Sequence, residues 1–213
     1  MKIRWYGHAC FKLDFANGPY VVTDPFDDHV GYPLCDASAD IVTTSHGHGD
    51  HNYVESIQGR PTVLNRTGLF TFDDLVVRGV KAYHDELNGA KRGDNIIYIF
   101  ESDDLKIAHM GDLGHEPDLK QYAALDGVDV LMIPIGGYYT IDTETAVKII
   151  EKIQPKLVIP MHFNTAVMNF PITDEKHFVE LTGAEYWNSN VIEVTKENLS
   201  TLPKAVVMRY AEE

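Results

Sequence analysis

The sequence predicts an α+β domain, compatible with two sheets that have helices packed outside them, and three observations carry that prediction. The first third of the chain is a succession of short strand patterns broken by turn residues. The later part alternates apolar, β-branched runs with helical patterns. The 213 residues are 44% apolar, enough for one sizeable core and ordinary for a single domain spanning 1–213. Periodicity alone leaves the order of the layers open.

A first strand begins at once in the opening Met1-Lys2-Ile3-Arg4-Trp5-Tyr6-Gly7-His8. Phe11-Lys12-Leu13-Asp14-Phe15 alternates apolar and polar residues, as a strand with one buried face does. Asn17-Gly18 then favours a tight hairpin, because both residues tolerate positive φ. Tyr20-Val21-Val22-Thr23 returns as the partner strand, and Asp24-Pro25 ends it, since proline cannot donate to a ladder. A polar loop with Gly31 and Pro33 leads to Ile41-Val42-Thr43-Thr44, a short β-branched run. Residues 95–100 and 105–110 bracket a turn at Ser102-Asp103-Asp104 and form a second expected hairpin. Residues 128–135 and 157–161 read as buried strands. Between them, Ala146, Val147, Ile149, Ile150 and Ile153 share one helical face, with Asp142 as N-cap and Pro155 as stop. Residues 118–125 and 174–181 are weaker helical patterns.

Composition narrows the function classes. The formal net charge is −14, and no basic run occurs anywhere. Affinity for nucleic acid comes from Lys and Arg neutralising phosphates, so a long duplex footprint is not expected. No stretch approaches the roughly 18 apolar residues that would span a bilayer, and no membrane partner is expected. The N-terminal segment lacks the apolar core and small-residue cleavage site of a signal peptide. Cys10 and Cys35 are the only cysteines and form no Cys-x-x-Cys pair, so the expectation is a cytoplasmic protein with free thiols.

The chemistry is concentrated in His46-Gly47-His48-Gly49-Asp50-His51. In extended chain, side chains two apart point the same way, so His46 and His48 can reach one ion together. Asp50 and His51 project differently and can reach a second ion beside it. The two glycines leave room for ions and substrate and permit backbone conformations that other residues resist. Imidazole and carboxylate bind divalent metals such as Zn²⁺, with manganese, iron and nickel as alternatives. Two such ions about 3.5–4 Å apart can share a water, lower its pKa and polarise a carbonyl or phosphoryl oxygen. The alternative, a His-rich surface loop that binds nothing, fits poorly with an acid at a fixed place directly after a buried strand.

This segment resembles the His-x-His-x-Asp-His signature of the metallo-β-lactamase superfamily, a specific motif in that setting. The resemblance covers nearly the whole chain. Trp5-Tyr6-Gly7-His8-Ala9-Cys10-Phe11 and Thr23-Asp24-Pro25 are similar to a small bacterial and archaeal branch of uncharacterised metal-dependent hydrolases, akin to the ascorbate-phosphate lactonase-like proteins. The resemblance implies a four-layer αββα sandwich with the site at one edge of the two sheets. It further implies His46, His48 and His84 on one ion, Asp50, His51 and His162 on the other, and Asp112 between them. Asp50 and Asp112 would position a metal-bridging hydroxide for attack on an ester, lactone, thioester or phosphoester.

Other candidates are weaker. His8 sits in a glycine-flanked turn and is placed at the site rim or in a structural role. Asp24 and Asp40 are expected to hydrogen-bond loop backbone or a ligand histidine. His115 is a candidate substrate contact or support for a ligand. Tyr138, in Gly136-Gly137-Tyr138-Tyr139, is a candidate substrate contact with packing as its equal rival. His109 is expected to pack within its strand, and His29 and His177 to be surface residues. Two rival readings remain: an iron-dependent oxidoreductase of the sulfur dioxygenase kind on the same fold, and a non-catalytic metal-binding module. The compact length favours a small-molecule substrate over nucleic acid, and a homo-oligomer is compatible with the sequence.

Overall fold

A computed structural model describes residues 1–16 and 18–211. The first part of the chain holds β1 (Lys2–Gly7), β2 (Cys10–Asp14), β3 (Tyr20–Thr23), β4 (Ile41–Thr43) and β5 (Thr62–Leu64). The middle holds β6 (Gly68–Phe72), β7 (Leu75–Tyr83), β8 (Asp94–Ser102), β9 (Leu105–His109), α1 (Leu119–Leu125) and β10 (Val130–Pro134). The last part holds α2 (Thr143–Ile153), β11 (Leu157–Met161), α3 (Lys176–Thr182), β12 (Glu185–Trp187), β13 (Val191–Glu193) and β14 (Val206–Met208). One sheet has the order β13-β1-β2-β3-β4-β5 and the other β11-β10-β9-β8-β7-β6, with β12 and β14 as a small parallel pair.

Alternation within the strands builds the first sheet's two faces. Phe11, Leu13, Val21 and Ile41 point into the core shared with the second sheet, where Val77, Ile97, Ile99 and Ile107 meet them. Their neighbours Cys10, Val22 and Val42 point the other way, into a second apolar cluster with Phe26, Val30, Tyr32 and Met168. The strand period of two thus serves two buried layers. Cover over the second cluster comes from loops that carry two single-turn 3-10 helices, Asp28–Val30 and Val54–Ser56. α1 and α2 pack against strands of the second sheet, and α3 packs on α2. The result is an α+β fold of two sheets flanked by helices.

The predicted elements form for the expected local reasons. In α2 the Asp142 carboxylate accepts from the Thr145 N–H at 2.9 Å, and the helix ends at Ile153 with Gln154 in the left-handed region just before Pro155. α1 opens with a full capping box between Asp118 and Gln121. The turn after Ser102 places Asp103 and Asp104 at φ 53° and 58°, the geometry of a two-residue hairpin with right-handed strand twist. β2 and β3 pair antiparallel as expected; the Asn17 position of their turn lies outside the described residues. α1 and α2 make the crossovers that the parallel β9, β10 and β11 require. Cys10 and Cys35 are buried free thiols. Among the described residues no helix is long and apolar enough to cross a membrane.

Candidate metal centre

Strand direction gathers the site. β1, β3 and β4 run the same way in the first sheet, and β7, β9, β10 and β11 run the same way in the second. His8 follows β1, Asp24 follows β3, and the segment 45–51 follows β4. His84 follows β7, Asp112 follows β9 after a short turn, and His162 follows β11. Each candidate therefore leaves the C-terminal end of a strand at a common edge. His8, Asp24 and His162 have φ of 51°, 40° and 50°. Non-glycine residues rarely adopt that region, and it is tolerated where the surroundings over-determine it. At these positions the backbone swings the side chain off the strand line and into the site.

The side chains converge. Nε2 of His84 and of His162 lie 3.1 and 3.2 Å from Asp112 Oδ2, and His51 Nε2 lies 3.1 Å from Asp112 Oδ1. His46 Nε2 is 3.9 Å from the same carboxylate. The rings of His46 and His48 are 4.5 Å apart, and those of His46 and His84 are 4.8 Å apart. Three ligand groupings result: His46, His48 and His84; His8, Asp50, His51 and His162; and His46, His51 and Asp112 between them. His8 joins through its Nε2, 3.2 Å from Asp50 Oδ2, and through its ring, 4.2 Å from that of His162. These His/Asp clusters are capable of binding divalent metal ions.

Hydrogen bonding fixes which nitrogen faces inward. Asp24 is fully buried and accepts from the Ser45 N–H at 2.7 Å, from Ser45 Oγ at 2.6 Å and from His51 Nδ1 at 2.9 Å. The Ser45 hydroxyl donates its hydrogen bond to Asp24, so at 2.9 Å it accepts from Nδ1 of His46. Nε2 of both rings is left pointing inward. His46 Nε2 is buried and makes no hydrogen bond, and the buried His51 Nε2 and Asp112 Oδ1 face only each other, at 3.1 Å and outside hydrogen-bond geometry. Orphaned buried polar atoms are costly unless something else satisfies them, and a cation among these three does so. The donor set thus fits a metal.

Protonation follows from burial and neighbours. Burial lowers the pKa of His8 to about 4, helped by His162, and that of His46 to about 3, helped by His51. Burial and His84 also lower His48. These rings are neutral at pH 7, the form that binds metal. His51 goes the other way: burial depresses it, but the charges of Asp112 and Asp50 outweigh burial and raise it well above the ordinary value. Burial pushes Asp112 up, and His162 and His51 hold it well below the carboxylate range. Asp24 and Asp50 are likewise held low against burial, chiefly by His51.

A cavity of about 420 Å³ opens over the cluster, lined by His48, Asp50, His84, Asp112, Tyr139 and Phe170 among others. Tyr138 turns outward, 66% exposed, and its neighbour Tyr139 lines the cavity. His115 stands behind the site: its Nε2 accepts from the Tyr83 N–H at 3.1 Å, next to His84, and its Nδ1 donates to the Glu116 carbonyl at 2.8 Å. His109 is buried in its strand, with Nε2 donating to the Ala9 carbonyl at 2.8 Å. Asp40 accepts from the Tyr20 N–H at 2.8 Å, a backbone bond away from the histidine cluster. His29 is exposed at the cavity mouth, and His177 pairs on the surface with Glu144. Sequence reasoning missed Ser45, Arg92 and Asn95, whose Oδ1 accepts from the Asp112 N–H at 3.0 Å. Ser45 was detectable by its position beside His46; the other two carry no motif.

Comparison with known proteins agrees with the geometry. Residues 2–162 match the family model described as the beta-lactamase superfamily domain. A UPF0173 metal-dependent hydrolase of Archaeoglobus fulgidus is 31% identical, over 82% of this chain and 87% of its own. One of Pyrococcus furiosus is 30% identical, over 86% of this chain and 92% of its own. Among solved structures, a candidate Zn-dependent hydrolase of the metallo-beta-lactamase superfamily from Thermotoga maritima is 33% identical with a TM-score of 0.82, covering 99% of both chains. The chain belongs to the metallo-β-lactamase superfamily, in its UPF0173-like branch of small metal-dependent hydrolases.

Proposed function

We propose that this protein is a two-metal hydrolase of a small molecule, cleaving an ester, lactone, thioester or phosphoester bond. The observation that carries the reading is the set of buried, inward-facing atoms on His46, His51 and Asp112 that make no hydrogen bond, beneath an open cavity. In this assignment His46, His48 and His84 would hold one ion and Asp50, His51 and His162 the other, with Asp112 between the two groups and zinc the first choice of metal. When bound, such a pair supplies an activated water and polarises the oxygen of the scissile bond.

The chain's own residues do the rest. Asp112 and Asp50 are carboxylates at pH 7 and orient the attacking water with their free lone pairs. Asp24 and Ser45 hold the His46 and His51 rings, so neither can rotate as charge shifts during reaction. Tyr139 and Phe170 wall the cavity with apolar surface that limits competing water. His8 lies against Asp50 and keeps that carboxylate in one orientation.

The test is elemental analysis of the purified protein, followed by a panel of lactone, thioester, ester and phosphodiester substrates. About two zinc-group ions per chain with turnover on at least one class is the expected result. Metal-loaded protein inert across the panel, or iron content with oxygen uptake on a persulfide, would overturn it.

A further inference from the structure

A second cavity, of about 850 Å³, meets the first along His48 and Arg92, the two residues that line both. It runs from the His46 and His48 edge of the cluster toward Asn65, Arg66 and Lys81. Its charge is unusual for this chain. The protein carries a formal charge of −14, yet three of its 18 Lys and Arg residues, Arg66, Lys81 and Arg92, line this cavity. The acidic group on this wall, Asp94, is already paired with Lys81 at 3.4 Å. Among the described residues no carboxylate pairs with Arg66 or Arg92. Arg66 lies over the Phe70 ring at 5.3 Å, and Arg92 over the Tyr139 ring at 5.6 Å. Arg92 also donates Nη2 to the Tyr138 carbonyl at 2.9 Å, which fixes the guanidinium and leaves most of its donors free.

The backbone beneath these cations is built to hold them. Asp85, directly after His84, is buried and accepts from the N–H groups of Leu87, Gly89, Lys91 and Arg92 at 2.8–3.0 Å. That one carboxylate ties the loop carrying Arg92 to the strand end carrying His84. Beneath Arg66, a Cβ at Gly79 of β7 would lie 2.7 Å from the Arg66 carbonyl, so the strand has a bare position where the Arg66 backbone rests. The Tyr98 hydroxyl donates to the Leu64 carbonyl at 2.7 Å and pins the same segment.

We propose that this cleft is an anion subsite, and that the substrate carries a carboxylate or phosphate held by Arg92 and Arg66 while its scissile bond lies at the His48 end of the cluster. The proposal deepens the hydrolase reading by naming the substrate class. Guanidinium groups bind both anions by paired, charge-assisted hydrogen bonds, and stacking on aromatic rings presents them ready-made. On an otherwise acidic surface, a local cationic wall draws a small anion to the one place where it is useful. The volume suits a small molecule.

The test is isothermal titration of the metal-loaded protein with phenylphosphonate, benzoate, uncharged benzamide and acetohydroxamate, the last reporting on the ions alone. Wild type binds the two anions and not benzamide. Arg92→Ala weakens both anions about tenfold and Arg66→Ala/Arg92→Ala about a hundredfold, at unchanged metal content and acetohydroxamate affinity. The larger loss between phenylphosphonate and benzoate identifies phosphate or carboxylate as the natural group. Anion affinity unchanged in the double variant, or an equal loss for acetohydroxamate, overturns the subsite. Because no turnover is needed, a protein that binds anions here yet hydrolyses nothing would sink the hydrolase reading and leave the subsite standing.

Discussion

Asp24 takes the Nδ1–H of His51 at 2.9 Å and, through the Ser45 hydroxyl, also governs the ring of His46. One buried carboxylate on the first sheet thereby fixes a histidine from each of two ligand groupings. Asp24→Asn keeps the size but puts an amide N–H₂ where an acceptor is required. One of the three donors it now serves must go unpaired, and the histidine tautomers lose their cause. The expected result is a fall of about 10- to 100-fold in affinity at both ion positions, read by competition with a chromophoric chelator. A fall confined to one ion would mean that Ser45 does not transmit the effect to His46.

Proton release on metal loading separates the histidines. At pH 7 the metal-free protein holds His8, His46 and His48 neutral, so binding takes no proton from them. His51 is charged, because its pKa is raised well above 6.5 by Asp112 and Asp50 against the effect of burial. A ligand must be neutral, so loading the ion at His51 displaces about one proton from that ring. Affinity at that position accordingly falls by about tenfold per pH unit on acidification below the raised pKa. The same sign governs folding. A raised pKa stabilises the metal-free protein fully below 6.5, and that contribution is lost as pH rises through the folded value. Calorimetry in buffers of different ionisation enthalpy counts the protons; none released at pH 7 would contradict the charged His51.

How much of the molecule is legible in its sequence depends on whether the cause is local. The β2–β3 and β8–β9 hairpins are readable because alternation and turn residues are properties of neighbouring positions. β5, β6 and β7 are not. β5 has only three residues, β6 is an edge strand that leaves Leu69 61% exposed, and Gly79 interrupts β7 for a packing reason set by Arg66. The six-residue histidine segment announces itself, whereas the Asp24–Ser45–His46 relay depends on a positive φ at Asp24, which nothing in the local sequence declares. Tyr138 and Tyr139 show the same limit. Tyr139 lines the cavity while Tyr138 sits at φ 56°, and nothing in the pair of identical residues declares which is which. Arg66 and Arg92 lie in separate loops and share no pattern, so only folding brings them to one cleft.

Asp112 stands within 3.1–3.9 Å of Nε2 of His46, His51, His84 and His162, and so lies between the two candidate ligand groups. Asp112→Asn removes the charge and keeps the Asn95 bond to its backbone N–H. The expected outcome is loss of about one ion per chain and a fall in turnover of roughly a hundredfold or more, since the attacking water loses both its position and its second activator. In the metal-free variant, the His51 pKa falls, because a principal cause of its elevation is gone. Elemental analysis and an NMR titration of His51 read the two effects separately. Full metal content with an unshifted His51 would remove Asp112 from the centre.

Gly114 tests whether the strand ends that carry His84 and Asp112 must touch. A Cβ there would lie 2.3 Å from the His84 carbonyl carbon and 2.3 Å from the Asp85 N. Both are backbone atoms, so no side chain can swing aside, and the Gly114 N–H to Tyr83 carbonyl bond at 2.9 Å holds the segments together. Gly114→Ala therefore forces the turn carrying Asp112 away from the strand end carrying His84. Overpacking of this kind costs about 1–3 kcal/mol, which for a domain of this size lowers Tm by roughly 2–12 °C. The site is affected beyond that cost. With His84 and Asp112 displaced, metal binds less tightly, and the Tm gain on adding zinc shrinks because that gain scales with the logarithm of ligand over Kd. Gly127→Ala is the control: Gly127 has φ 72° and a Cβ added there would meet nothing within 4 Å, so strain is added without a clash. It should lower Tm modestly and keep the full zinc-dependent gain. Equal zinc gains in the two variants would show that the contact at Gly114 serves stability alone.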